Sequence, residues 1–193
     1  TRWPIAFRFP SAFGEVEAGV RLGLVSRLLA HHAVGRVMGD EPCRTDWICG
    51  ANFMVRAAVI EQIGLMDEGY FLYFEETDYC REAHKAGWEC WYVPDARVLH
   101  IAGQSTGVTG ADAFTRRVPG YWFESRRRYY VKQHGRAYAA LADAAWLAGH
   151  ALWRLRCVLQ RKPRSEPPQL MRDFIAHSIW RHPSAAVPVQ RYA

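Results

Sequence analysis

The sequence predicts an α/β fold followed by a basic helical extension, and three observations carry that expectation. Half of the 193 residues are hydrophobic, enough for one ordinary domain with a buried core and an appendage. Between residues 46 and 100, short runs of β-formers alternate with short helical patterns, which argues for a layered α/β arrangement rather than a bundle. Beyond residue 116 the pattern turns helical and basic: residues 1–115 carry 10 Lys+Arg against 15 Asp+Glu, whereas residues 116–193 carry 15 against 4. A basic half of this kind favours an anionic surface, whether phospholipid, a diphosphate-linked substrate or nucleic acid.

Residues 1–10 mix rings, Arg and Pro and read as extended chain. Ser11 is placed to cap a helix with apolar residues at Phe13, Val16, Val20, Leu24 and Leu28, and Gly35, Gly39 and Pro42 then open a loop expected to be mobile. Residues 46–56, DWICGANFMVR, read as a buried strand interrupted by Gly50 and Ala51. Small residues there allow either the close approach of a ligand or a tight bend. A brief helix over residues 57–63 closes on Gly64.

Residues 67–88, DEGYFLYFEETDYCREAHKAGW, place an aromatic turn with Tyr70, Phe71, Tyr73 and Phe74 directly before Glu75, Glu76 and Asp78, at the head of a helix ending at Gly87. Acidic groups in a first helical turn are stabilised by the positive end of the macrodipole, so a well-started helix is the plain reading. Carboxylates at the rim of an aromatic pocket are also a common way to build a general base. Residues 91–100, WYVPDARVLH, give two β-rich pieces, at Tyr92–Val93 and over 97–100, on either side of a Pro-Asp kink. Residues 101–113 form a Gly/Ser/Thr-rich loop that lacks the order of a phosphate-binding P-loop.

Residues 121–135, YWFESRRRYYVKQHG, predict a basic aromatic helix, and residues 137–159 an Ala-rich one. Trp146 and Trp153, seven apart, share a face of the second, which either packs onto the domain or lies in an anionic membrane interface beside Arg154, Arg156, Arg161, Lys162 and Arg164. Pro163, Pro167 and Pro168 end it, an amphipathic piece covers residues 170–180, and a Pro-punctuated tail follows. The organisation expected is residues 1–115, a basic amphipathic extension over 116–165, and a short helix with tail over 166–193. Five cysteines without C-x-x-C spacing indicate neither a zinc site nor a disulfide framework, so a reducing, cytoplasmic setting is the default. No cleavable signal is visible, nor any apolar run long enough to span a bilayer.

Four segments in order, WICGANFMVR, GLMDEGYFLYFEETDYCREAHKAGW, VPDARVLHIAGQST and SRRRYYVKQHG, resemble the C-terminal half of family-two inverting glycosyltransferases, especially the bacterial rhamnosyltransferase-like members, over about residues 44–135. The resemblance implies a partial GT-A fold comprising the acceptor-side half. It implies transfer of a sugar, with inversion, from a nucleotide-diphosphate donor to a hydroxyl of a lipid-linked or saccharide acceptor, in bacterial cell-surface polysaccharide or glycolipid synthesis. It further implies Glu76 as catalytic base, with Glu75 as the alternative because most relatives carry Asp where Glu76 stands. Gly50, Ala51 and Trp47 become acceptor-side residues, and His100 a ligand for a divalent metal (Mg or Mn) and the diphosphate. Asp78 and Arg81 match positions of structural character.

The chemistry agrees for independent reasons. Direct displacement needs a base on the acceptor hydroxyl, and a helix-start position favours the ionised form of Glu76. A neutral His can bind a divalent cation that neutralises a leaving diphosphate. The Asp-x-Asp of the family's donor half is absent and the first residue is Thr, so the chain is expected to be the C-terminal portion of a longer enzyme, inactive alone. It is expected to lie peripherally on the inner face of the plasma membrane through Trp146, Trp153 and nearby Arg. Two other classes compete: a non-catalytic basic binding module using Arg126, Arg127 and Arg128 with Tyr129 and Tyr130, and a degenerate, regulatory glycosyltransferase-like domain. The acidic first half would repel a nucleic-acid backbone, so no nucleic-acid partner is expected.

Overall fold

Two short ribbons hold the first half together in the computed structural model, which describes residues 6–98 and 115–183. Strand β1 (Ala6–Phe7) pairs antiparallel with β3 (Trp47–Ile48), Phe7 opposite Trp47, and β2 (Cys43–Thr45) pairs antiparallel with β4 (Cys90–Tyr92), Arg44 opposite Trp91. The Phe7 and Trp47 rings stack at 4.2 Å, the Trp47 indole N–H donates to the Arg8 carbonyl, and Asp46 Oδ2 accepts from the Phe9 N–H. Cross-strand aromatic pairing of this kind lets so short a ribbon persist.

The described chain is mixed, as expected, but mostly helical with small sheets in place of a continuous α/β layer. The physical reason lies at Gly50. The expected strand over residues 46–56 stops at Ile48 and turns into a 3₁₀ segment, Gly50–Asn52, whose Asn52 amide donates to the Ala96 carbonyl. Arg97 and Val98 are not strand either, and the remainder of that predicted piece lies outside the described residues, as does the loop over 101–113.

The single helix expected after Ser11 is two: α1 (Ala12–Val20) and α2 (Gly23–Leu28), separated by Arg21 in the left-handed region at φ 49°. Ser11 caps α1 as predicted, its hydroxyl accepting from the Gly14 N–H. The break carries Arg21 over the Trp153 ring at 4.5 Å and its guanidinium to the Ser165 carbonyl, contacts that a continuous helix would carry past. The loop after α2 is tied at its near end, where Arg8 N–H donates to the Val34 carbonyl. Helix α3 (Ala57–Ile63) ends on Gly64 at φ 83°, a conformation that favours glycine.

Helices α4 (Glu75–Lys85), α5 (Gly120–His134) and α6 (Arg136–Leu159) follow, with Gly135 at φ 83° making the corner between the last two. Helix α1 crosses α6 at close range through two glycines. A Cβ at Gly19 would stand 2.8 Å from the Trp146 carbonyl oxygen, and one at Gly149 would stand 3.0 Å from the Val20 nitrogen. The short α7 (Leu170–Ala176) closes the far side, with Phe174 stacked on Trp146 at 4.1 Å and Asp173 gripped by the Arg117 fork at 2.7 Å.

At the centre sits Arg126, 3% exposed, which bonds Glu15 on α1 and Asp143 on α6 and lies between the rings of Tyr130 and Phe174. Asp143 also accepts from the Ile179 N–H, and Glu15 from the Tyr130 hydroxyl. The expectation that Trp146 and Trp153 face a membrane is therefore corrected: both are buried, one against Phe174 and the other beneath Arg21. Arg126 and Arg128 are likewise buried in ion pairs, so the expected basic patch over 126–128 does not face solvent as a unit.

Two stability outcomes follow from this packing. Arg126→Met strands the buried Asp143 and the half-buried Glu15 and lowers unfolding free energy by about 3–5 kcal/mol in urea titration. Gly149→Val forces α1 off α6 and costs about 1–3 kcal/mol, while Gly23→Ala, where an added Cβ meets nothing within 4 Å, leaves the midpoint unchanged or higher.

Candidate active site

The approach to α4 is built by an acidic turn that α5 holds from below. Asp67 accepts from the Gly69 N–H at 2.9 Å and from Arg128 Nη2 at 2.6 Å. A Cβ at Gly69 would fall 2.1 Å from the Arg128 guanidinium carbon, so a side chain there would push the fork aside. Lys132 then bridges Asp67 to Asp78, and Gln133 donates to both Asp78 and Glu82. Burial by itself would raise the Asp67 carboxyl, but Arg128, the Gly69 N–H and Lys132 outweigh it and bring the group to about 2. Asp78 is thus a buried anchor of α4 on α5, and Arg81 lies over the Phe9 ring at 4.8 Å. Nothing in a single sequence pairs Asp67 with residues some 61 positions away, although the D-x-G spacing is itself a turn signal.

Between this clamp and the carboxylates the backbone is strained. Tyr73 and Phe74 both take positive φ, 68° and 67°. For side chains of this size each costs about 1–2 kcal/mol, and such strain persists only where the surroundings hold it. Here the rings hold it: Phe74 packs on Trp122 and Tyr129 at 5.9 and 5.7 Å, and Tyr73 stacks on Tyr121 at 14°. The turn therefore delivers Glu75 and Glu76 at a fixed angle, with no capping side chain at Phe74 to occupy the helix start.

The two carboxylates differ in environment. Glu76 Oε1 accepts from the Gly50 N–H at 3.3 Å, which joins the end of β3 to the head of α4, while its Oε2 is buried without a hydrogen-bond partner. Glu75 Oε2 is buried and unpartnered as well. Burial pushes the Glu75 carboxyl above its ordinary 4.5, and the neighbouring Glu76 pushes it further. One Glu76 oxygen is thus held by a backbone N–H while its twin is desolvated and unpartnered, a costly state for a carboxylate.

Of the other predicted site residues, Gly50 meets Glu76, and Ala51 lies exposed in the same 3₁₀ turn. Trp47 is committed to strand pairing through its ring and its N–H. His100, the expected metal ligand, lies outside the described residues. Among the described residues no group of three or more His, Cys, Asp or Glu converges to hold a metal ion, so they do not by themselves supply a divalent-cation site.

Comparison with known proteins gives a distant, partial similarity to bacterial rhamnosyltransferases. The chain is 33% identical over 112 residues to the N-acetylglucosaminyl-diphospho-decaprenol L-rhamnosyltransferase of Mycobacterium tuberculosis strain H37Rv, and equally to that of strain CDC 1551. The match takes in 57% of this chain and 31% of those relatives. Rhamnosyltransferase WbbL of Escherichia coli K12 is 35% identical over 57 residues, 30% of this chain and 22% of that one. The chain thus spans about a third of the length of the mycobacterial relatives it matches. No protein-family model matches it, and no solved structure does.

Glu75 makes a pH-dependent contribution whose sign is fixed by its raised pKa. Its stability term is fully present below its ordinary 4.5 and is lost as pH rises through the higher folded value. Glu75→Gln is expected to raise the thermal midpoint near neutral pH and to leave it unchanged near pH ~4, as calorimetry across that range will register.

Proposed function

We propose that this chain is the acceptor-side part of an inverting glycosyltransferase of GT-A type, with Glu76 as its base. The single observation that carries the reading is the Glu76 carboxylate, one oxygen fixed by the Gly50 N–H and the other buried and unpartnered behind a strained aromatic turn. The similarity to rhamnosyltransferases supplies the reaction class.

In this reading the acceptor hydroxyl enters beside Gly50 and Ala51 and gives its proton to the Glu76 carboxylate. Its oxygen forms a bond to the anomeric carbon on the face opposite the departing nucleotide diphosphate, whose C–O bond breaks, and the configuration inverts. Glu76 ends the step protonated and returns the proton to solvent. Glu75, whose ionisation burial and its neighbour oppose, is the accompanying acid rather than the base. The mycobacterial relative's name specifies a lipid-diphosphate acceptor and L-rhamnose. By analogy the acceptor here is a saccharide on a diphosphate lipid, which brings the protein to a membrane surface, and the donor is a nucleotide-linked deoxyhexose. Donor binding, and the divalent cation for which His100 is the proposed ligand, belong to residues beyond those that build this site. Residues 1–115 form the acceptor-side part in this reading and the helices after them an appendage packed upon it. A basic binding module finds less support, because Arg126 and Arg128 are spent on internal carboxylates.

Glu76→Gln in the protein that carries this chain is expected to cut sugar transfer by about 10²–10⁴ with an unchanged melting midpoint, while Glu75→Gln keeps most of the rate. Normal transfer by Glu76→Gln would remove the assignment.

A further inference from the structure

Helix α6 buries one face and leaves the opposite one bare. At ~100° per residue, Leu141, Ala144, Ala148, Leu152, Leu155 and Leu159 fall within a sector of ~120°. Ala151 and Val158 lie in the same sector, and no polar residue of the helix interrupts it. Leu141, Leu152, Leu155, Val158 and Leu159 are 55–75% exposed. The buried side chains Ala142, Trp146, His150, Trp153 and Cys157 point the other way, into α1 and α7. A charged, solvated outer face is the ordinary condition of such a helix, so an apolar one calls for an occupant.

What lies at the end of that stripe indicates the occupant. A cleft of about 500 Å³ opens where the corner between α1 and α2 meets the C-terminal turn of α6. Arg21, Arg156 and Lys162 line it together with Trp153, Gln160 and Ser165, and among the described residues no carboxylate does. Arg156 Nη2 donates to the Arg21 carbonyl at 2.6 Å and Arg21 Nη1 to the Ser165 carbonyl at 3.0 Å, so the two cations are placed rather than free. Arg161 and Arg164 are exposed beside them. From residue 144 to 165 the chain has five Lys+Arg and no Asp or Glu, and the next carboxylate, Glu166, is held by His150 and Arg154. Beyond Arg21, Leu22, Leu24 and Leu28 are exposed as well.

We propose that the outer face of α6 and this basic cleft form one membrane-docking surface, the leucines entering the acyl boundary and the cleft seating the phosphate of an anionic lipid. Apolar area bordered by cations is the pattern of a helix lying in the interface plane. No helix among the described residues is long and apolar enough to cross a membrane, so the face lies on the bilayer rather than through it. A second copy is a poorer occupant, because residues 116–193 carry 15 Lys+Arg against 4 Asp+Glu and two such halves repel. The surface shares no residue with the carboxylate site, so it stands or falls independently of the transfer reading.

Flotation of the full chain with vesicles tests it. Binding is expected to phosphatidylcholine vesicles containing phosphatidylglycerol and to be far weaker with phosphatidylcholine alone. Leu152→Glu with Leu155→Glu should abolish flotation at an unchanged melting midpoint, since both side chains are exposed. Lys162→Glu should weaken it by at least about 5-fold. Equal indifference to both vesicle types would overturn the proposal. So would undiminished binding by the leucine variant, which would mean electrostatic adsorption alone. A dimer in light scattering that the leucine variant dissolves, without vesicle binding, would assign the face to a second copy instead.

Discussion

The buried guanidinium of Arg126 is the interaction on which the arrangement of helices depends. It lies where α1, α5 and α6 meet, bonded to Glu15 and Asp143 and enclosed by Tyr130 and Phe174. A charge removed from water is tolerated only when its partners are equally fixed, and here each partner has a second bond, Glu15 from Tyr130 and Asp143 from the Ile179 N–H. The ion cluster thereby sets the register of three helices and of the segment after α7. The close crossing of α1 on α6, made possible by Gly19 and Gly149, is the packing that this register permits.

From α5 the same logic extends to the candidate site. Farther along α5, Arg128, Lys132 and Gln133 grip Asp67, Asp78 and Glu82. Helix α5 therefore holds the core together with one set of cations and fixes α4 with another. With both ends of the aromatic turn anchored, Tyr73 and Phe74 can be kept in the left-handed region, and Glu76 reaches the Gly50 N–H with one oxygen left over. Holding a carboxylate in one position by a strained, well-anchored backbone is a known use of stored strain.

Much of the helical content was legible. The expected helices over residues 57–63, 121–135 and 137–159 correspond to α3, α5 and α6 within a residue or so, because glycine punctuation and apolar spacing act locally. The acidic cluster at the head of α4 was legible for the same reason, and its link to Gly50 followed only from family resemblance. The strands were less legible. A run of β-formers ends wherever its partner ends, and β1 and β4, the partners of β3 and β2, are no more than three residues long. The tryptophans of α6 misled because periodicity finds a face without saying which way it turns. Trp146 and Trp153 do share one, but α1 and α7 cover it, and the unpartnered leucines lie opposite.

The sequence by itself determined where α3, α5 and α6 begin and end, that the second half is basic, and that two adjacent carboxylates follow a cluster of rings. Those are properties of neighbouring residues and of their sum. Tertiary structure alone decided which cations are spent inside, as Arg126 and Arg128 are, and which stay outside, as Lys162 and Arg164 do. It also decided that Tyr73 and Phe74 adopt a costly backbone, and that one Glu76 oxygen is held while the other is buried without a partner. Each of these depends on partners far away in the chain, and the free energy of a buried charge or a strained residue is set by what surrounds it rather than by what precedes it.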